Sequence, residues 1–258
     1  MVSSERGDDG MLVGLSRGKL DREFKRPATE IEDLLTSVVF GSLVYAPMAE
    51  GLLPFLGCAR SSAGAMLADR LGALRAVVYE FWPGWDPSGP SDGTVVCAGS
   101  EPELVLRFER DDAPALWVLV EAKLWSGKSS HATPGGPVND QLGKYWVAFQ
   151  QRAREAGAEA VAVVYVTRGV IVPEEEFAET QRELAAKGAP SAPLYWLSWR
   201  HFELVLRDAS HPMMRDVAAL LRERWGLAMP ATTWTWPERW SAPPSWSFAA
   251  DLVPSGTM

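Results

Sequence analysis

Two strand-like segments, 103–109 (ELVLRFE) and 116–123 (LWVLVEAK), are joined by only six residues, RDDAPA. If they pair as a hairpin, the loop centre lies near residues 112–113, and antiparallel partners have numbers summing to about 225. The apolar pattern selects the register. A sum of 224 pairs Leu104 with Val120, Leu106 with Val118 and Phe108 with Leu116, and all six are apolar on one face, as a half-buried sheet requires. The opposite face then sets Glu103 directly across from Glu121, and alternation puts Lys123 on the same face as Glu121.

Opposed residues in a hairpin have Cβ atoms roughly 5 Å apart. Two carboxylates at that separation beside an apolar sheet repel, and one is pushed towards protonation. A divalent cation resolves the conflict. Mg²⁺ takes oxygen ligands, commonly one or two carboxylates with waters and phosphate oxygens. Glu103, Glu121 and the backbone carbonyl of Ala122 form such a donor set. Lys123 then either binds a phosphate or helps deprotonate water, because lysine ammonium groups shift pKa readily near charge. Mg²⁺, with Mn²⁺ as the alternative, is the expected cofactor, and phosphodiester hydrolysis is the chemistry such a set suits.

The rest of the chain supplies a setting. Pro27 opens a helix over 28–45, with Ile31, Leu34, Leu35, Val38 and Val39 at helical spacing. A short helix is expected at 61–72, a strand at 76–82 and a turn-rich stretch after Pro83. A helix over 139–155 carries Leu142, Tyr145, Trp146 and Phe149 on one face, and 160–167 (AVAVVYVT) reads as a buried strand. A helix at 174–187 opening on three glutamates, a strand at 194–198 and helices at 199–208 and 212–225 follow. This order predicts an α/β fold, a mixed central sheet flanked by helices.

Pro102-Glu103 followed eighteen positions later by Glu121-Ala122-Lys123 resembles the PD-(D/E)XK nuclease superfamily, which includes restriction endonucleases and RecB-like nucleases. The likeness covers residues 28–167 and extends to the element order helix, three strands, helix, strand. It implies a restriction-endonuclease-like core and metal-dependent cleavage of DNA, with a role in restriction or phage defence. Asp140-Gln141-Leu142-Gly143-Lys144-Tyr145 resembles the QxxxY element of RecB-like members, so Gln141 would orient the metal's water or a phosphate. The family's first helix often adds an acid; Glu32, with Thr36 one turn later, is the candidate and Glu30 its competitor. One departure is that the first motif carries Glu where Asp is commoner.

The expected domain spans 27–228, after a flexible lead-in at 1–26 and before a Trp/Pro-rich extension at 229–258. Trp234, Trp236, Trp240 and Trp246 in that extension suit a strap across the domain or a protein-docking surface better than base stacking on single strands. A homodimer is a further option. The net charge of −8 argues against a general nucleic-acid coat protein while leaving room for a local basic groove. Cys58 and Cys97 form no CxxC pair, and the polar start of the chain is unlike a signal peptide, so a cytoplasmic setting is expected. No stretch reaches the roughly 20 apolar residues of a membrane span. His131 reads as a loop residue, His201 and His211 as surface or packing, and Lys128, Ser129 and Ser130 as part of a polar, flexible loop.

Overall fold

The computed structural model describes residues 28–85 and 101–229, with side chains from Glu32 onward. The expected lead-in at 1–26, Cys97, and the tryptophans from Trp234 to Trp246 lie outside the described residues, as does Glu30's side chain.

Five strands form one mixed sheet in sequence order: β1 (Ala76–Phe81), β2 (Leu104–Glu109), β3 (Leu116–Ala122), β4 (Glu159–Thr167) and β5 (Leu194–Ser198). β1, β2 and β3 are mutually antiparallel, and β4 and β5 continue parallel to β3. The β2–β3 register is the one the apolar pattern selects: Leu104 faces Val120, Leu106 faces Val118 and Phe108 faces Leu116. These six side chains share one core with α1 (Ala28–Leu43), α2 (Leu52–Gly57), α6 (Trp199–Leu206) and α7 (Pro212–Trp225). Leu35, Val39 and Leu43 of α1 recur every four residues and are almost fully buried there.

The other face is not open, as a half-buried sheet would leave it. Val105, Trp117 and Leu119 pack under α4 (Gln141–Glu155) and α5 (Glu174–Ala186), against Leu142, Tyr145, Trp146, Phe149 and Phe177. The sheet is therefore the middle of three layers. The near-continuous apolar run of β3 is the signature of burial on both faces, a signal present in LWVLV and not used.

The expected helix at 61–72 is reduced to one turn, α3 (Ala68–Leu71). Ahead of it Arg60 bridges Met66 across a turn where Gly64 takes φ +81°, a left-handed conformation that interrupts helix. A six-residue helix, α2, forms instead where none was expected, driven by burial of Leu52, Leu53, Phe55 and Leu56. Trp82 ends β1 one residue earlier than expected.

The loop between β3 and α4 is docked rather than flexible. Glu183 of α5 accepts hydrogen bonds from the backbone N–H groups of Thr133 (3.0 Å), Asn139 (3.2 Å) and Asp140 (2.7 Å). Lys128 is buried in ion pairs with Asp140 and Glu179, and Glu179 also accepts from Ala132 N–H at 3.0 Å. Asp140 caps α4 by accepting from Gly143 N–H at 3.0 Å. This scaffold determines where α4 begins. In Glu183→Gln one acceptor oxygen replaces the two that serve three N–H groups. We expect a loss of about 1.5–3 kcal/mol in urea unfolding, the range for hydrogen bonds to a charged group, with faster tryptic cleavage after Lys128.

Candidate active site

The hairpin register carries Glu103 and Glu121 to the same end of the sheet, where β2 begins and β3 ends. Lys123 lies one residue beyond β3, held by its N–H donating to Val166 O at 2.8 Å. Its ammonium meets Glu121 Oε1 at 2.9 Å and Glu32 Oε1 at 3.1 Å. The start of α4 arrives from the other face: Gln141 Nε2 donates to Glu121 Oε1 at 2.6 Å and to the Tyr145 hydroxyl at 3.2 Å. Gln141 Oε1 accepts from Ser129 N–H at 2.7 Å, so the docked loop sets the amide's orientation. Tyr145 OH donates in turn to Glu101 O at 3.2 Å. Glu32, Glu103, Glu121, Lys123 and Gln141 thus converge, and all are buried, at 1–8% exposure.

Glu32 of α1 reaches the cluster. Expected as a metal ligand, it has both oxygens engaged by donors. Oε1 takes the Lys123 ammonium, while Oε2 takes Leu124 N–H at 2.8 Å and the Ser126 hydroxyl at 3.3 Å. Thr36, one turn later, is buried with its hydroxyl unpartnered. Glu121 is the opposite case. Its Oε1 is doubly held, whereas its Oε2 is buried without a hydrogen-bond partner, although Glu103's backbone N–H lies near enough to favour the ionised form. Glu103 Oε2 accepts from the Trp82 indole N–H at 2.9 Å.

Ahead of β2 the chain bends at Glu103, after Pro102, which has no N–H to donate. Lys123 directs its backbone N–H towards β4, so the trans peptide turns Ala122's carbonyl towards the β2 side of the sheet.

Two tryptophans, Trp82 and Trp199, support the cluster. Trp82 adopts φ 43°, left-handed for a bulky residue, at a cost of about 1–3 kcal/mol. There its N–H donates to Glu103 O at 3.0 Å while its indole reaches the Glu103 carboxylate. Trp199 Nε1 donates to Lys123 O at 3.1 Å. A non-glycine residue at a strand end before Pro83 gives no sequence signal of positive φ, and Trp199 lies 76 positions from Lys123.

Burial pushes the Glu103 carboxyl well above the ordinary range, and Glu121, Asp33 and Glu32 push it further, against the pull of Lys123. Glu121 is also raised, by burial, with Lys123 opposing. Burial works against Lys123's charge, but Glu121, Glu32 and Glu103 outweigh it and its pKa is raised. With every acid ionised the cluster would carry more buried negative charge than one ammonium balances, and the raised carboxyl pKa values express that conflict. Among the described residues no three His, Cys, Asp or Glu side chains form a ready-made metal cage. An ion with one or two carboxylate ligands needs none. Glu121 Oε2, the raised Glu103 carboxyl and the Ala122 carbonyl are hard oxygens, the donor type such an ion takes.

A cavity of about 920 Å³ lies elsewhere, between the 131–136 loop and α5, and none of the cluster's residues lines it. Lys128, Ser129 and Ser130, read as flexible, are tied into the loop's scaffold. His201 is a packing residue: it is fully buried at the start of α6, where burial lowers its pKa to about 4. His131 is exposed beside Glu179.

Compared with protein-family models, curated proteins and solved structures, the chain gives no significant match in any of the three. Among the described residues no helix is long and apolar enough to cross a membrane.

The raised Glu103 pKa has a consequence for stability. The folded state holds that proton more tightly than the unfolded chain, whose glutamates titrate near about 4.3. The contribution of Glu103 to stability is therefore greatest below that pH and is lost as pH rises towards the folded value. In the metal-free protein, Glu103→Gln should melt higher than wild type at pH 7.5. The difference should shrink to nothing as pH approaches about 4, measured by circular dichroism melting at both pH values.

Proposed function

We propose that this chain is a divalent-metal-dependent phosphodiester hydrolase acting on DNA, with a restriction-endonuclease-like core of the PD-(D/E)XK kind. The observation that carries the reading is Glu121, whose Oε1 is fixed by Lys123 and Gln141 while its buried Oε2 has no hydrogen-bond partner among the described residues. A buried, unpaired carboxylate oxygen next to a second strained acid costs free energy unless a cation completes it. Glu121 and Glu103 would hold Mg²⁺ or Mn²⁺, with the Ala122 carbonyl as a third donor. When bound, the ion supplies Lewis acidity towards water and a phosphate oxygen.

The chain's own groups divide the remaining work. Lys123 keeps its proton at neutral pH because the surrounding acids raise its pKa. Of its two expected roles, this favours stabilising charge on the phosphate over acting as a base. Glu32 anchors that ammonium and the turn after β3 through Leu124 N–H. Gln141 orients the Glu121 carboxylate, and Tyr145 holds Gln141 in turn. The parallel pairing of β3, β4 and β5 sets their carboxyl ends on this side, where open α/β sheets commonly bind ligands. A cytoplasmic role in restriction or phage defence rests on the family resemblance.

The depth of burial favours a second reading, a non-catalytic binding subunit that keeps the cluster as a polar core. Cleavage assays separate the two. Plasmid and single-stranded DNA are incubated with Mg²⁺, Mn²⁺ or EDTA and wild type, Glu121→Gln or Lys123→Met. The nuclease reading expects metal-dependent cutting that falls by at least about 10²-fold in either variant, the scale for losing one electrostatic stabiliser of a transition state. It also expects Mg²⁺ or Mn²⁺ to raise the melting temperature of wild type, by about 2.7 kcal/mol of stability at one hundred times Kd, and not that of Glu121→Gln. Folded wild type that cuts no DNA with either metal establishes the binding-subunit reading instead.

A further inference from the structure

Trp125, two residues beyond Lys123, is 56% exposed, an unusual position for so large an apolar ring. The guanidinium of Arg168 stacks on it at 3.8 Å from the ring centroid. Arg168 directly follows β4, at the level where Lys123 N–H bonds Val166 O, so both residues belong to the site's end of the sheet. Arg200 lies in the first turn of α6, directly after Trp199, whose indole bonds the Lys123 carbonyl. Burial and the nearby charge of Arg168 both weigh against Arg200's own charge, so the two guanidinium groups lie close enough to repel. Among the described residues neither is in an ion pair, and Arg200's side-chain N–H groups reach only backbone carbonyls at Gly226 and Ala228. The 168–173 loop also leaves Val170 and Ile171 exposed, at 41% and 77%.

A chain of net charge −8 thus concentrates unneutralised positive charge and an exposed indole at one rim of its candidate site. The geometry points to this Trp125–Arg168–Arg200 rim as a docking platform for single-stranded DNA, an unpaired base stacking on Trp125 while the arginines meet the backbone phosphates. This rests on the nuclease reading and names the strand that feeds the site. The pairing of groups is what single strands require. Every base has a face that stacks on an aromatic ring, and guanidinium groups add cation–π and phosphate contacts. A duplex hides its base faces in its own stack and is held by broad phosphate neutralisation, for which this acidic chain is poorly equipped. The self-contained Trp–Arg pair also favours nucleic acid over an apolar protein partner, since burying two unpaired guanidinium groups against an apolar surface is costly.

Fluorescence anisotropy of a fluorescein-labelled oligo-dT, with the intact chain in EDTA, tests this apart from cleavage; a labelled duplex of equal length is the comparison. Wild type should prefer oligo-dT. Trp125→Ala should weaken that binding about tenfold or more, the scale of one lost base stack, and Trp125→Phe should restore most of it. Arg168→Ala should lower the salt dependence by about 0.7 in the slope of log K against log salt. Melting curves establish that each variant is folded. The proposal is overturned if wild type binds no oligo-dT, if it prefers the duplex, or if folded Trp125→Ala and Arg168→Ala bind oligo-dT as wild type does. If Mg²⁺-dependent cleavage by wild type persists in those cases, only the rim falls. Oligo-dT binding through Trp125 by a protein that cuts nothing keeps the rim and removes the nuclease.

Discussion

The ammonium of Lys123 joins β3 to α1, and through Glu121 the start of α4 is tied to the same point. It is carried out of β3, pairs with Glu121 on the same strand, and reaches Glu32 on α1 from 91 positions away. A buried ion pair is a poor source of net stability, because desolvation consumes most of the attraction. Removing either partner, however, leaves an uncompensated buried charge. Lys123 therefore acts less as glue than as a specification: α1, β3 and α4 must meet at one point or the sheet end is left with bare carboxylates.

Carboxylates elsewhere in the molecule show what a finished design looks like. Glu183 spends both oxygens on three backbone N–H groups. Glu179, where burial is outweighed by bonds from Lys128, Ala132 and His131, has its pKa lowered to about 2. Glu103 and Glu121 are raised instead, and among the described residues one Glu121 oxygen has no hydrogen-bond partner, only the nearby backbone N–H of Glu103. The same fold that satisfies its structural acids leaves this pair unfinished, within hydrogen-bonding reach of the satisfied ones through Gln141 and Ser129. A bound cation, as proposed, would complete the electrostatics of this pair. Trp82 adds to the expense, holding left-handed backbone while its indole serves Glu103.

The loop from Leu124 to Asp140 links these two regimes. Its Gly, Ser and Pro content suggests mobility, yet Lys128 is buried and Glu183 gathers three of its N–H groups. Local composition reports backbone freedom in the unfolded chain and carries no information about acceptors on a helix some 40 to 50 positions away.

Sequence by itself determined the hairpin register, and with it the meeting of Glu103, Glu121 and Lys123, because side-chain alternation over adjacent strands leaves only one pairing that keeps apolar residues together. It also set Gln141 and Tyr145 on one helical face by their four-residue spacing. Tertiary structure alone decided that Glu32 would serve Lys123 with both oxygens engaged, and that Trp82 and Trp199 would reach the cluster. It also decided that α4 and α5 would close the second face of the sheet and that Trp125 would be left at the surface. Those contacts depend on how helices dock across the layers. Docking is governed by shape and burial summed over many residues, which no short-range period encodes.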